Sequence, residues 1–364
     1  MPSLAEHEAP APLSRLHARV VLAIFVAVAI FFVGVTLSPL KSGFADAPDR
    51  GPGDIGLYRA EIDRIRSGES YYDAAAIELS KRGYPTHSVF NWRTPLPVWL
   101  IGVLPDITAA NAILAAAGIV LVCLSFHLLA SEAGVREAYL AVALLSGALL
   151  PCLLGYLVVM SELWCGVFIA LSAVCFGVKR PTVGVLAGVA ALFFRELAAP
   201  YCVLCVIMAA GERRYRELAW WGLGLAAYAV FFAAHVWQVL PRAGSDDLAQ
   251  VHGWIRFGGA GFLISTAQLN VYLLMLPQWV TALYLAAVLL SSSTWNSPAG
   301  RRIGLTIAMY AILFSAVGND FNQYWGSITA PLYCLAAGRL PTVLGQLWKA
   351  AKLTSAVPRA IAAG

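Results

Sequence analysis

Charge is scarce in this chain. Only 12% of its 364 residues are Asp, Glu, Lys or Arg, against about 25% in an ordinary soluble domain. That scarcity excludes a water-soluble globule, whose surface would need far more of them. With 60% hydrophobic residues and a mean hydropathy of +0.72, the chain instead carries repeated apolar runs. Each spans about 20 residues, enough to cross about 30 Å of hydrocarbon. The net charge of +5 is divided among short basic clusters between those runs. Such clusters orient helices in a membrane and do not form a nucleic-acid surface.

Other absences narrow the function further. The cysteines are Cys123, Cys152, Cys165, Cys175, Cys202, Cys205 and Cys334. All lie in apolar segments and their number is odd, so no disulfide framework is expected. Cys202 and Cys205 have the spacing of a redox or metal pair, but no second pair accompanies them, and all seven read as small buried hydrophobes. The histidines (His7, His17, His87, His127, His235, His252) are scattered without a helical ligand spacing, so neither metal nor other cofactor is expected. No Walker-type loop is present, which argues against ATP-driven transport. No internal repeat appears, which argues against the repeat-built secondary transporters. Ala45-Asp46-Ala47 resembles a signal-cleavage site. The apolar run Val20–Leu37 is too long for a signal core and ends too far from it, so the first helix reads as retained.

What is present is an all-α pattern: a polytopic transmembrane bundle forming one membrane domain over 1–364. Ten spanning helices are read at about 17–39, 107–130, 136–157, 160–178, 182–195, 197–211, 216–239, 274–293, 302–318 and 324–342. With the N-terminus inside, the inner loops hold Arg136, Lys179-Arg180, Arg213, Arg214, Arg216, Arg301-Arg302 and Arg339, followed by the basic C-terminal segment. This set obeys the positive-inside rule and puts both termini in the cytoplasm. The loop 40–93, Ser161-Glu162, Arg195-Glu196, the loop 240–258 and the stretch 318–324 then face outward, so the working site is expected on the extracytoplasmic face. Two apolar segments are not expected to cross. Thr94–Pro105 is too short and proline-limited, and 251–273, with His252, Trp254 and Arg256 at its start, reads as a helix on the outer surface.

The outer loop 40–93 is the polar island of the chain. Its first part, ADAPDRGPGD, is turn-forming. Asp54 then stands at a natural N-cap for a helix over about 55–67, closed by Gly68. Ile55, Tyr58, Ile62 and Ile65 recur at helical spacing, with Arg59, Glu61, Asp63, Arg64 and Arg66 largely elsewhere. That is an amphipathic helix suited to the membrane surface. A second helix is expected over about 72–82, burying Ala75, Ala76 and Leu79. For Asp54, capping and catalysis are both open readings, and Asp46 and Asp49 compete with it in the same turn.

Several short motifs carry a likeness. Asp54-Ile-Gly-Leu-Tyr58 is followed by a helix ending in Gly68-Glu-Ser-Tyr71-Tyr72, then by Phe90-Asn-Trp-Arg-Thr-Pro95-Leu-Pro97. Later come Ser161-Glu162-Leu-Trp164, then Phe194-Arg195-Glu196 with Pro200, and Asn322-Gln-Tyr324 running on to Pro331. This order resembles the GT-C superfamily of membrane glycosyltransferases, in particular the polyprenyl-phosphate-sugar-dependent, mannosyltransferase-like branch. Asn91, Trp92 and Arg93 depart from that family's commoner tyrosine–proline pattern.

The resemblance implies transfer of a sugar from a polyprenyl-phosphate carrier to an acceptor hydroxyl, with inversion at the anomeric carbon. Asp54 would be the general base and Tyr58 would lie beside the substrate. Arg93, Arg195 and Arg256 would face the phosphate, and Glu162 and Glu196 would lie in the substrate-binding region. The partners would be the lipid-linked donor, a glycan or lipid acceptor and membrane lipid, in a bacterial inner membrane. Plainer roles stand beside these: Arg195 and Glu196 as a helix cap, Arg256 as a surface anchor, Glu162 in a buried pair. The alternative functions are a transporter or flippase for a lipid-linked or small polar substrate, and a non-enzymatic assembly factor.

Overall fold

The computed structural model describes residues 14–38, 53–243, 257–318 and 320–352, the last stretch without the Asp320 side chain. Every regular element among them is helical. The first is α1 (Arg15–Leu37). The polar island supplies α2 (Gly53–Arg66) and α3 (Tyr71–Lys81), followed by the eight-residue α4 (Leu96–Val103). Then come α5 (Ile107–Glu132), α6 (Val135–Leu149), α7 (Ser161–Gly177), α8 (Pro181–Phe194), α9 (Ala199–Gly211) and α10 (Tyr215–Val239). The chain ends with α11 (Gly259–Ala267), α12 (Val271–Leu274), α13 (Gln278–Ser293), α14 (Pro298–Ala316), α15 (Ala330–Gly338) and α16 (Leu340–Lys352).

Four helical stretches, Arg15–Leu37, Ile107–Glu132, Val135–Leu153 and Tyr215–Arg242, are long and apolar enough to cross a membrane. Large apolar side chains stand exposed on them, among them Ile30 and Phe31 on α1 and Val230 and Trp237 on α10. In water such surfaces would be a liability, and against lipid they are at rest. At the centre lies α7, apolar except for Ser161, Glu162 and Ser172, and buried from Ser161 through Val167 and from Ile169 through Cys175. Trp164 stacks on Phe194 of α8, with ring centroids 4.8 Å apart and planes 8° from parallel. The described ends of the chain meet, since Arg15 Nε donates to the carbonyl of Ala351 at 3.2 Å.

Three expectations are corrected. The helix expected over 324–342 is broken into a 3₁₀ helix (Asp320–Ile328), α15 and α16. Nine residues is long for a 3₁₀ run, and glycines let this one press close. A Cβ on Gly166 would come within 2.0 Å of the Ser327 carbonyl oxygen, and one on Gly326 within 1.9 Å of that of Thr266. The segment expected on the outer surface contributes to the core through α11, although Phe257 before it and Tyr272 after it are exposed. In α11, Phe262 to Ala267 are buried and pack against α13, α14 and the 3₁₀ helix. Finally, the apolar face of α2 turns onto protein: Tyr58 and Ile62 are buried, and Ile65 lies against Gly102 of α4.

Candidate functional site

The polar island folds back over one end of the bundle. Arg64 Nε donates to Glu78 at 2.7 Å and Arg82 Nε to its other oxygen at 3.2 Å, which clamps α2 to α3. Ser70 caps α3 through the backbone N–H of Asp73. The segment beyond α3 is pinned by Trp92, whose indole N–H donates to the Thr86 carbonyl at 2.9 Å, and by the Tyr71 hydroxyl, which donates to the Arg93 carbonyl. Beneath this cover lies a cavity of about 790 Å³. It falls within the range of about 300–1,000 Å³ usual for small-molecule sites.

Asp54, Tyr58, Arg93 and Glu162 line that cavity. Asp54 does not cap α2. The helix begins at Gly53, at φ +61°, so Asp54 sits inside the first turn. There a carboxylate gains from the helix dipole. Its Oδ1 accepts from the Tyr84 hydroxyl at 2.9 Å and its Oδ2 from that of Tyr324 at 3.2 Å. Among the described residues no cation pairs with it. Each carboxylate oxygen offers two acceptor positions, so the two phenols leave room for a further proton donor.

One turn along α2, Tyr58 accepts a hydrogen bond from Arg93 Nε at 2.9 Å. Burial drives the Tyr58 hydroxyl well above its ordinary range, with Arg93 acting against it and Asp54 with it. Tyr58 therefore stays a neutral phenol and does not quench the guanidinium. Burial also opposes the charge on Arg93, but Tyr58, Tyr324, Glu196 and Glu162 around it hold its proton more firmly than usual. Its nearest ion-pair oxygen, Glu196 Oε1, is 3.9 Å away. Arg93 is thus a charged group at the wall with its strongest contact to a neutral phenol.

Arg195 and Glu196 are placed differently from the expectation. Neither lines the cavity. Arg195 is 1% exposed, with Nε 2.9 Å from Glu162 Oε1 and Nη1 3.1 Å from Glu196 Oε1. These are contacts of charge more than aligned hydrogen bonds, because the N–H directions miss the oxygens. Two carboxylates already surround Arg195 behind the wall, so no phosphate reaches it. Arg195 follows Phe194 at the end of α8, whose ring stacks on Trp164, and the Trp164 indole N–H donates to the Val158 carbonyl at 2.8 Å at the start of α7. Arg256, Asp46 and Asp49 lie outside the described residues.

Two cavity residues were missed. Tyr84 has no helical or motif context in the sequence. Glu61 is different: it follows Asp54 by seven residues and Tyr58 by three, a spacing that puts all three on one helix face. It was assigned to the polar face of α2, yet it is 2% exposed and lines the cavity. Among the described residues no cluster of His, Cys, Asp and Glu is arranged to hold a metal. No family model, curated protein or solved structure matches this chain.

Proposed function

We propose that this chain is a membrane glycosyltransferase of the GT-C kind, moving a sugar from a polyprenyl-phosphate carrier to an acceptor hydroxyl with inversion. The observation that carries the reading is the cavity itself. Its walls offer a carboxylate that accepts from two phenols, with no cation paired to it among the described residues, and a guanidinium whose nearest described ion-pair oxygen is 3.9 Å away, and much of the remainder is apolar. Asp54 takes the acceptor proton as the acceptor oxygen bonds to the anomeric carbon. The bond from that carbon to the phosphate oxygen breaks, and its electron pair leaves on the polyprenyl phosphate. Arg93 receives the phosphate, which is already anionic and needs a cation more than a proton. Leu154, Leu157, Leu274 and Phe321 at the cavity wall suit the isoprenoid.

The same reading includes about ten crossings, with both termini cytoplasmic and the cavity extracytoplasmic in a bacterial inner membrane. Shorter apolar helices such as α7, α8, α9 and α13 join the four long ones. The last crossing is composite: the 3₁₀ helix and α15 together rise roughly 30 Å at about 2.0 and 1.5 Å per residue. Along α7, Glu162 at the cavity and the basic pair Lys179-Arg180 stand at opposite ends of a 17-residue helix, about 25 Å long. That separation supports the assignment of sides.

The test uses purified protein in lipid nanodiscs with labelled polyprenyl-phosphate sugars and a membrane-extract acceptor pool. Asp54→Asn is expected to retain donor binding and lose transfer by about 10²- to 10⁴-fold. A fully active Asp54→Asn protein removes Asp54 as the base.

A further inference from the structure

Two polar side chains at the cavity wall each carry a buried atom with no hydrogen-bond partner among the described residues. Glu61 and Asn322 are each 2% exposed and both line the cavity. Neither Glu61 Oε2 nor Asn322 Nδ2 makes a hydrogen bond. Leaving a buried polar atom unsatisfied costs about 1–3 kcal/mol, and native proteins rarely tolerate it. Both residues line the cavity, and although each atom is itself almost fully covered, a turn of either side chain would present it to a ligand there, where it would find the partner it lacks. They also come from elements already committed to the site. Glu61 shares a face of α2 with Asp54 and Tyr58, about 10 Å from Asp54 along the axis. Asn322 belongs to the 3₁₀ helix that brings Tyr324 to Asp54.

The chemistry of the pair selects a ligand class. Burial pushes the Glu61 carboxyl up to about 8; Arg93 and Arg82 only partly offset this, while Glu78 and Asp54 add to it. At neutral pH it is a carboxylic acid, with one O–H to donate and a carbonyl oxygen to accept. Asn322 adds amide N–H donors. A neutral set of donors and acceptors matches adjacent hydroxyls, each of which both donates and accepts. It matches neither a phosphate, which calls for cations, nor an alkyl chain. We propose that Glu61 and Asn322 form the glycosyl subsite of this cavity, binding ring hydroxyls of the sugar while Asp54 and Arg93 work at the bond being broken. The subsite rests on the transferase reading given above.

The test measures binding of polyprenyl phosphate, bare and bearing mannose, glucose, galactose or arabinose, to the full chain in phosphatidylethanolamine–phosphatidylglycerol nanodiscs. The wild type is expected to prefer one glycosylated form over the bare lipid. Glu61→Leu and Asn322→Leu should each lower that preference about tenfold and leave bare-lipid affinity within about twofold. Glu61→Gln, which keeps a donor and an acceptor, should retain most of it. If the wild type discriminates and both leucine variants discriminate equally well, the subsite is overturned and the transferase reading stands. If the wild type prefers no glycosylated form, both fall. Should the leucine variants not fold, infrared difference spectroscopy decides. The carboxylic-acid band that Glu61→Gln abolishes must shift on adding the preferred glycosyl lipid and not on adding the bare one, and an unmoved band overturns the subsite.

Discussion

Replacing Glu61 with glutamine should make the protein progressively more stable than wild type as pH rises. In the unfolded chain this carboxyl ionises near its ordinary 4.5, whereas in the folded cavity wall burial raises that point to about 8. Between those values the folded state binds a proton that the unfolded state has released, so unfolding is favoured as pH increases. The stability that the neutral acid contributes is complete below about 4.5 and lost by the time pH passes about 8. At about 1.36 kcal/mol per pH unit the whole window is worth about 5 kcal/mol. Glutamine has nearly the same shape, keeps a donor and an acceptor and never ionises, so its profile lacks this slope. Arg93, Arg82, Glu78 and Asp54 are the same in both proteins, so the difference isolates position 61. The assay is reversible unfolding in mixed micelles, run in parallel on wild type and Glu61→Gln from pH 4.5 to 9. The free-energy gap should widen by about 1.4 kcal/mol per unit and level off above pH 8. A gap that stays flat, or widens as pH falls, would mean that Glu61 is ionised in the fold, and the reasoning would be refuted.

Three further outcomes follow from the same geometry. Arg195→Ala leaves the buried Glu162 and Glu196 without the cation that pairs them and should cost about 3–5 kcal/mol of stability; Arg195→Met with Glu162→Gln should recover much of it, and a fully stable Arg195→Ala protein would show the pair to be dispensable. Gly166→Ala drives a Cβ to 2.0 Å from the Ser327 carbonyl oxygen, whereas Gly155 has nothing within 4 Å. The first should therefore destabilise by about 1–3 kcal/mol and slow transfer by pulling Tyr324 from Asp54, while Gly155→Ala should do neither; equal melting temperatures would contradict the close contact. For sidedness, Arg59→Cys should react with an impermeant maleimide on intact cells and Arg216→Cys only after permeabilisation, with the reverse pattern inverting the orientation.

The candidate site was legible in proportion to how local its causes are. Asp54, Tyr58 and Arg93 stood out because a polar island in an apolar chain concentrates chemistry in few residues, and all three line the cavity. Arg195 and Glu162 were picked out by the same logic, but their relation was hidden. They lie on separate helices, and only the packing of α7 against α8 shows that they neutralise one another 2.9 Å apart. Glu61 was misassigned because periodicity ranks residues by polarity, and an acid defaults to the wet face. Its burial follows from the packing of α2 against α3 and α4, which turns that face towards the cavity and away from bulk water.

Hydropathy and helical spacing, which act over a few residues, placed the long helices to within a few positions and made the chain a membrane protein. They also marked where polar chemistry gathers. They held no information on the company each side chain keeps, because that is set by contacts between distant segments. Tyr324 reaches Asp54 from 270 residues away, carried by a 3₁₀ helix where an α-helix was expected, which packs closely at glycines 166 and 326. Whether a carboxyl is a cap, a base or a neutral acid depends on how many neighbours displace its water and which of them are charged. Folding settles that quantity, and local sequence does not.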